Sequence, residues 1–111
     1  LRATTLTSHA RDLEFDFAAC DPKEKARPDI NFILITREQD GARYCIVSPA
    51  KDGRPFMGTW QYGSRPPGLA IDCRPLDVPG RYVMEFSGSG SGKLEFEVDS
   101  RSNVVAQEDG C

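Results

Sequence analysis

Two stretches of the chain alternate strictly between apolar and polar residues. In residues 12–18, Leu13, Phe15 and Phe17 face one way and Asp12, Glu14 and Asp16 the other. In residues 93–99, Leu94, Phe96 and Val98 alternate with Lys93, Glu95, Glu97 and Asp99. A period of two belongs to a strand with one face in a core and the other in water. Residues 30–36 are apolar on both faces, as a central strand would be. Asp40-Gly41 signals a tight turn, and residues 43–48 form the next strand.

Further strand signals follow at residues 57–62, 69–73 and 81–86, with a weak last one at 103–107. Trp60 and Tyr62 share a face, as do Leu69, Ile71 and Cys73. The Ser-Gly repeat of residues 87–92 reads as a flexible turn. No segment keeps helical spacing over three turns, and 8 prolines and 10 glycines punctuate the strands. The pattern predicts an all-β fold: an antiparallel two-sheet β-sandwich of seven to nine strands, jelly-roll or Greek-key like. Its expected core is Leu13, Phe15, Phe17, Phe32, Leu34, Ile46, Ile71, Tyr82, Met84, Phe86, Leu94, Phe96 and Val98. Residues 1–111 make a single domain, with residues 100–111 readable as a tail.

Composition narrows the function classes. Hydrophobic residues are 39% of the chain, too many for disorder. The net charge is −3 with no basic stripe, which argues against nucleic acid. The longest apolar run, residues 30–35, is broken by Asn31 and far shorter than the ~20 residues of a membrane helix. The first residues carry no charged or apolar leader, so export would rest on a signal peptide removed or outside this stretch.

Four cysteines, Cys20, Cys45, Cys73 and Cys111, stand far apart with no C-x-x-C pair, and His9 is the lone histidine, so no zinc spacing exists. Two structural disulfides are expected, in a secreted, periplasmic or secretory-pathway lumen location. Of three connectivities, Cys45–Cys73 is favoured because both lie inside strands. Cys20–Cys111 follows by default, with the last strand bringing Cys111 to the Lys93 end.

Catalytic signatures are weak. Residues 88–93 lack the Walker spacing and lead into a strand. No serine sits in G-x-S-x-G, and His9 reads as a surface residue. Glu14 with Asp16, and Glu95 with Glu97, share strand faces that should be solvated. Calcium is the one cofactor left open, through loop aspartates Asp21, Asp29, Asp40, Asp52, Asp72 and Asp77, although they form no spaced motif. The best candidate site is the cluster of Trp60 and Tyr62 with Arg54, Phe56, Arg65 and Pro66, where aromatics, arginines and prolines meet as in binding hot spots. The competing reading puts Trp60 in the sandwich core.

Residues 79–87, the Ser-Gly turn and residues 92–98 carry a P-G-x-Y strand, a polar turn and a final alternating strand. This ending resembles bacterial pre-peptidase C-terminal (PPC) domains. Residues 12–17 and 29–34 loosely resemble the early strands of the same domains. The pattern is also similar to GOLD domains of the secretory pathway, though four cysteines depart from the usual PPC pattern. Either resemblance implies a non-catalytic module on a sandwich. The expected function is thus an extracellular binding or accessory module for a protein, matrix or glycan partner. A small secreted hydrolase using loop carboxylates and a structural or inhibitory domain stay open as alternatives.

Overall fold

The computed structural model describes residues 1–50 and 56–111, with the side chains of Phe56 and Met57 left aside. Ten strands are present among the described residues: β1 (Arg2–Thr5), β2 (Glu14–Ala18), β3 (Asp29–Arg37), β4 (Arg43–Pro49), β5 (Phe56–Met57), β6 (Thr59–Gln61), β7 (Leu69–Cys73), β8 (Gly80–Gly88), β9 (Ser91–Val98) and β10 (Val104–Asp109). The one helical element there is a 3-10 turn, Ala10–Asp12. All pairings are antiparallel.

The strands form two sheets. The small one runs β1-β2-β6, and the large one runs β10-β9-β8-β3-β4-β7, with β5 pairing the start of β3. Strands β3, β4 and β7 lie side by side and β8 returns beside β3, the order of a Greek key. The all-β sandwich expected from the alternation is the fold observed.

Three differences from the sequence reading have local causes. Residues 57–62 are not one strand. Gly58, at φ +90°, breaks them so that β5 joins the large sheet and β6 the small one. Such corners suit glycine, because a Cβ disfavours positive φ. The N-terminal stretch, to which the sequence pattern assigns no strand, supplies β1, which pairs with β2 from Arg2↔Ala18 to Thr5↔Phe15. With the split of residues 57–62, this raises the count above the expected nine. The weak last strand expected at residues 103–107 is present as β10, so the stretch also readable as a tail is part of the large sheet.

The Ser-Gly repeat is mostly strand, not flexible turn. Ser87 and Ser91 face each other, so the hairpin loop is only Gly88 to Gly90. A side chain at Gly88 would collide with the Asp29 carbonyl, and one at Gly92 with the Leu1 carbonyl and the Phe86 ring. These glycines let neighbouring backbone approach.

The core lies between the sheets. Leu13, Phe15 and Phe17 pack from the small sheet against Tyr82, Met84, Phe86, Leu94, Phe96 and Val98 of the large one. Phe15 sits 5.8 Å from Phe96, and Phe17 meets Phe86 edge-on at 5.0 Å. The expectation fails in β3 and β4, while in β7 Ile71 packs against the core but is only partly buried. Ile30, Ile33, Ile35, Cys45 and Val47 are buried, while Phe32, Leu34 and Ile46 are only half-buried. A strand apolar on both faces gives no phase. A register shift between Ile30 and Phe32 sets it, turning Phe32 and Leu34 to the outer face.

Both disulfides are Cys45–Cys73 and Cys20–Cys111, and no cysteine is free. Cys45 and Cys73 are direct cross-strand partners of β4 and β7. Cys111 follows β10, where the Gly110 amide donates to the Lys93 carbonyl at 2.8 Å. Among the described residues no helix is long and apolar enough to cross a membrane.

Candidate binding site

Of the described residues among the six the sequence singles out, Tyr62 alone lines the candidate cleft, and Trp60 is corrected to the core. Trp60 pairs with Phe15 in the β2–β6 register, so its side chain points inward. It is 2% exposed, stacks on Phe15 at 5.7 Å and donates its indole N–H to the Ser64 carbonyl at 2.9 Å. A residue so enclosed offers no surface to a ligand. Arg54 and the Phe56 side chain lie outside the described residues. Arg65 is exposed and Pro66 buried, its carbonyl accepting from the Leu69 amide at 3.1 Å.

Tyr62 follows β6 and is half-buried. Its ring leans on Trp60 at 5.7 Å. Its hydroxyl donates to the carbonyls of Arg74 at 2.6 Å and Tyr44 at 3.3 Å. Burial pushes its pKa well up, Tyr82 adds to the rise and Arg74 opposes it, so the phenol stays a neutral donor. Tyr62 therefore ties the end of the small sheet to the end of β7.

Around this tie lies a cleft of about 550 Å³. Its walls are the 3-10 turn with Ala10 and Arg11, the turn at Tyr62 and Gly63, residues 73–77, and Ser102. Residues 74–79 are the Greek-key crossover from β7 to β8. Leu76 anchors the crossover in the core, and the Tyr82 hydroxyl bonds back to the Val78 carbonyl. Burial and neighbouring Tyr44 push Tyr82 up to about 12. The opposite wall is stitched by Ala10 N–H to the Ser102 carbonyl and Val104 N–H to the Ser8 carbonyl, each 2.7 Å. Ser102 adopts a left-handed φ of 64°, uncommon for a non-glycine residue. Asp99 holds the turn, its carboxylate accepting from the amides of Arg101 and Asn103 at 2.9 Å.

The cleft joins an apolar floor to positive charge. Tyr62, Leu76, Ala10 and Pro75 supply the floor. The Arg74 guanidinium rests on the Tyr44 ring at 4.1 Å, a cation–π contact that fixes it without using its charge on an anion. Among the described residues no carboxylate pairs with Arg74 or Arg11, nor with Arg65 and Arg101 on the adjoining loops. Asp77, also unpaired there, adds one negative charge.

Apart from Asp77, the described carboxylates weighed for catalysis and calcium lie outside the cleft. Arg27 holds Asp16 at 2.6 Å. Arg81 and Lys93 bond Glu95 and lower its pKa. Arg37 keeps Asp40 at about 2. Each of these carboxylates is engaged by a surface cation. Among the described residues no three of His, Cys, Asp and Glu gather to hold a metal ion, and Asp52 lies outside them.

Sequence reasoning passed over Arg11, Arg74 and Leu76 because they stand in loops with no periodicity. The one available signal was a proline-bounded segment, residues 75–79, directly after a strand cysteine. The chain matches no family model, no curated protein and no solved structure.

Proposed function

We propose that this protein is a non-catalytic binding module of an oxidising compartment, and that it takes its ligand at the cleft beside Tyr62 and Arg74. The observation that carries the reading is the cleft's composition: an apolar floor bordered by arginines with no carboxylate partner among the described residues. Ligand sites are concave, mostly apolar and furnished with a few fixed polar groups, and about 550 Å³ is within their usual size. Unpaired arginine beside such a floor suits a ligand with a carboxylate or other anion. Two disulfides in a chain of 111 residues support secretion, a periplasm or a secretory lumen. The resemblance of residues 79–98 to PPC and GOLD endings supports an accessory role for a protein, matrix or glycan partner.

The test is an array of acidic and neutral oligosaccharides and peptides, probed with the purified domain and with an Arg11→Ala/Arg74→Ala variant. Retention of acidic ligands by the wild type and about tenfold weaker retention by the variant is the expected result. Equal binding by both proteins would move the site elsewhere. Cleavage of any ligand on the array would replace the module with an enzyme.

A further inference from the structure

A sandwich of two open sheets has four strand edges, and here they are not equivalent. The edges of β1 and β10 close on each other. Gln107 accepts from the Thr5 amide at 3.0 Å and donates to the Thr5 hydroxyl at 2.8 Å. Arg2 pairs with Asp109 at 3.2 Å, and the Leu1 amino group donates to the Ser91 carbonyl at 2.9 Å. Strand β6 is only three residues long. Strand β7 has five residues, pairs only with β4 among the described residues, and holds its register without a bulge.

The hydrogen-bonding phase of β7 follows from its two ends. The Ala50 amide donates to the Gly68 carbonyl at 3.2 Å, and the Arg74 amide to the Tyr44 carbonyl at 2.9 Å. Antiparallel pairs alternate, so Ala70 and Asp72 bond to β4, while the N–H and C=O groups of Ile71 and Cys73 point away from it. Among the described residues nothing bonds to those outward groups. β7 contains no proline, no lysine and no bulge, three of the devices that protect strand edges. On the inner face Ile71 and Cys73 stay half-exposed, because the three-stranded sheet does not reach over them. The edge then runs straight into the cleft, where Cys73 and Arg74 form part of the wall.

We infer that β7 is a docking edge for an extended segment of a partner protein, added as a further strand and ending on an acidic group held by Arg74 and Arg11. The occupant follows from two complementarities. The outward backbone groups need a strand, and alternate apolar side chains on that strand would cover Ile71 and Cys73. The unpaired arginines at the end of the edge need a carboxylate, from an aspartate, a glutamate or a chain terminus. This rests on the binding-module reading and specifies its partner as a polypeptide.

The experiment selects binders from a displayed random peptide library and follows amide hydrogen exchange of the full chain. In the free protein the Ile71 and Cys73 amides should exchange fast, and a selected peptide should protect both. Selected sequences should alternate apolar residues and carry an acid at one end. Ile71→Pro removes an outward N–H and no bond to β4, so the domain should keep its fold and lose about tenfold or more in affinity. Arg74→Glu should weaken binding to a similar degree and abolish the preference for an acid, which keeps the test decisive should Ile71→Pro fail to fold. Loss with Arg74→Glu but not with Ile71→Pro, and without amide protection, would overturn strand addition and leave the cleft reading standing. Slow exchange of these amides in the free protein, a library without binders, or pairing of β7 with a second copy would also overturn it.

Discussion

The two sides of this sandwich solve the problem of open sheet edges in opposite ways. On one side β1 and β10 are joined by the Thr5–Gln107 bonds and the Arg2–Asp109 pair. The Cys20–Cys111 disulfide ties the same side, across a sequence separation of 91. On the other side β7 ends in a cleft, and its disulfide to Cys45 links strands that already pair, across a separation of 28. The first side is cross-linked between distant parts of the chain, with side chains bridging its two edge strands. The second is fixed locally and keeps its edge, its half-exposed apolar residues and arginines with no carboxylate partner among the described residues. Stability and binding are therefore expected to separate by side.

The largest test of that contrast is removal of each disulfide. By loop-closure entropy, Cys20→Ser with Cys111→Ser should cost about 4–5 kcal/mol, and Cys45→Ser with Cys73→Ser about 3–4 kcal/mol. Denaturant unfolding measures both, and a reversed order would show that the closed side is not the stabilising one. Trp60→Ala comes next, at about 3–5 kcal/mol, since it empties a core position against Phe15. The wild-type indole should emit as a buried tryptophan, and a red-shifted, easily quenched emission would return Trp60 to the surface.

Smaller effects probe the open side. Tyr62→Phe removes the donor to the Arg74 and Tyr44 carbonyls and should cost about 1 kcal/mol while loosening the cleft. An unchanged melting midpoint would show that this tie is dispensable.

The tyrosines also give a pH signature. In the unfolded chain they ionise near 10.0, whereas in the fold Tyr82 is held up to about 12 and Tyr62 is raised as well. Below pH 10 both states keep the protons and nothing changes. Above it the unfolded chain releases protons that the folded chain retains, so stability should fall as the pH climbs from 10 towards 12. Tyrosinate absorbance with unfolding curves would follow this, and Tyr62→Phe should flatten the slope.

The smallest expected effect is at Asp40, on the exposed hairpin turn. Its pKa is lowered from 3.8 to about 2 by Arg37, so its contribution is present above pH 3.8 and lost as the pH falls through 2. Asp40→Asn should remove that acid dependence, and a persistent dependence would assign it to Glu95 instead.

The candidate site was far less legible than the fold. Trp60, Tyr62 and the nearby arginines stand out in sequence because interface hot spots and sandwich cores draw on the same aromatic residues. Alternation puts Trp60 and Tyr62 on one face, and it is silent on whether that face is covered. Their fates differ because Trp60 lies within β6, opposite Phe15, while Tyr62 lies past its end at the mouth of the cleft. Arg11 and Arg74 carry no signal in their own segments, since a loop's position is set by the strands it connects.

The sequence by itself determined what depends on neighbouring residues. Period-two alternation placed β2 and β9 and chose their buried faces, because each polar residue there would lose its water if the strand turned over. Cysteines inside two strands indicated the Cys45–Cys73 bridge. Tertiary structure decided what depends on contacts distant in the chain. It set the phase of β3, whose two apolar faces are equivalent until a neighbouring register shift selects one. It split residues 56–61 between two sheets at Gly58, a choice each sheet's hydrogen bonds make jointly. It also left β7 at an edge beside two arginines more than sixty positions apart, a juxtaposition created only when the Greek-key crossover closes over the end of the sandwich.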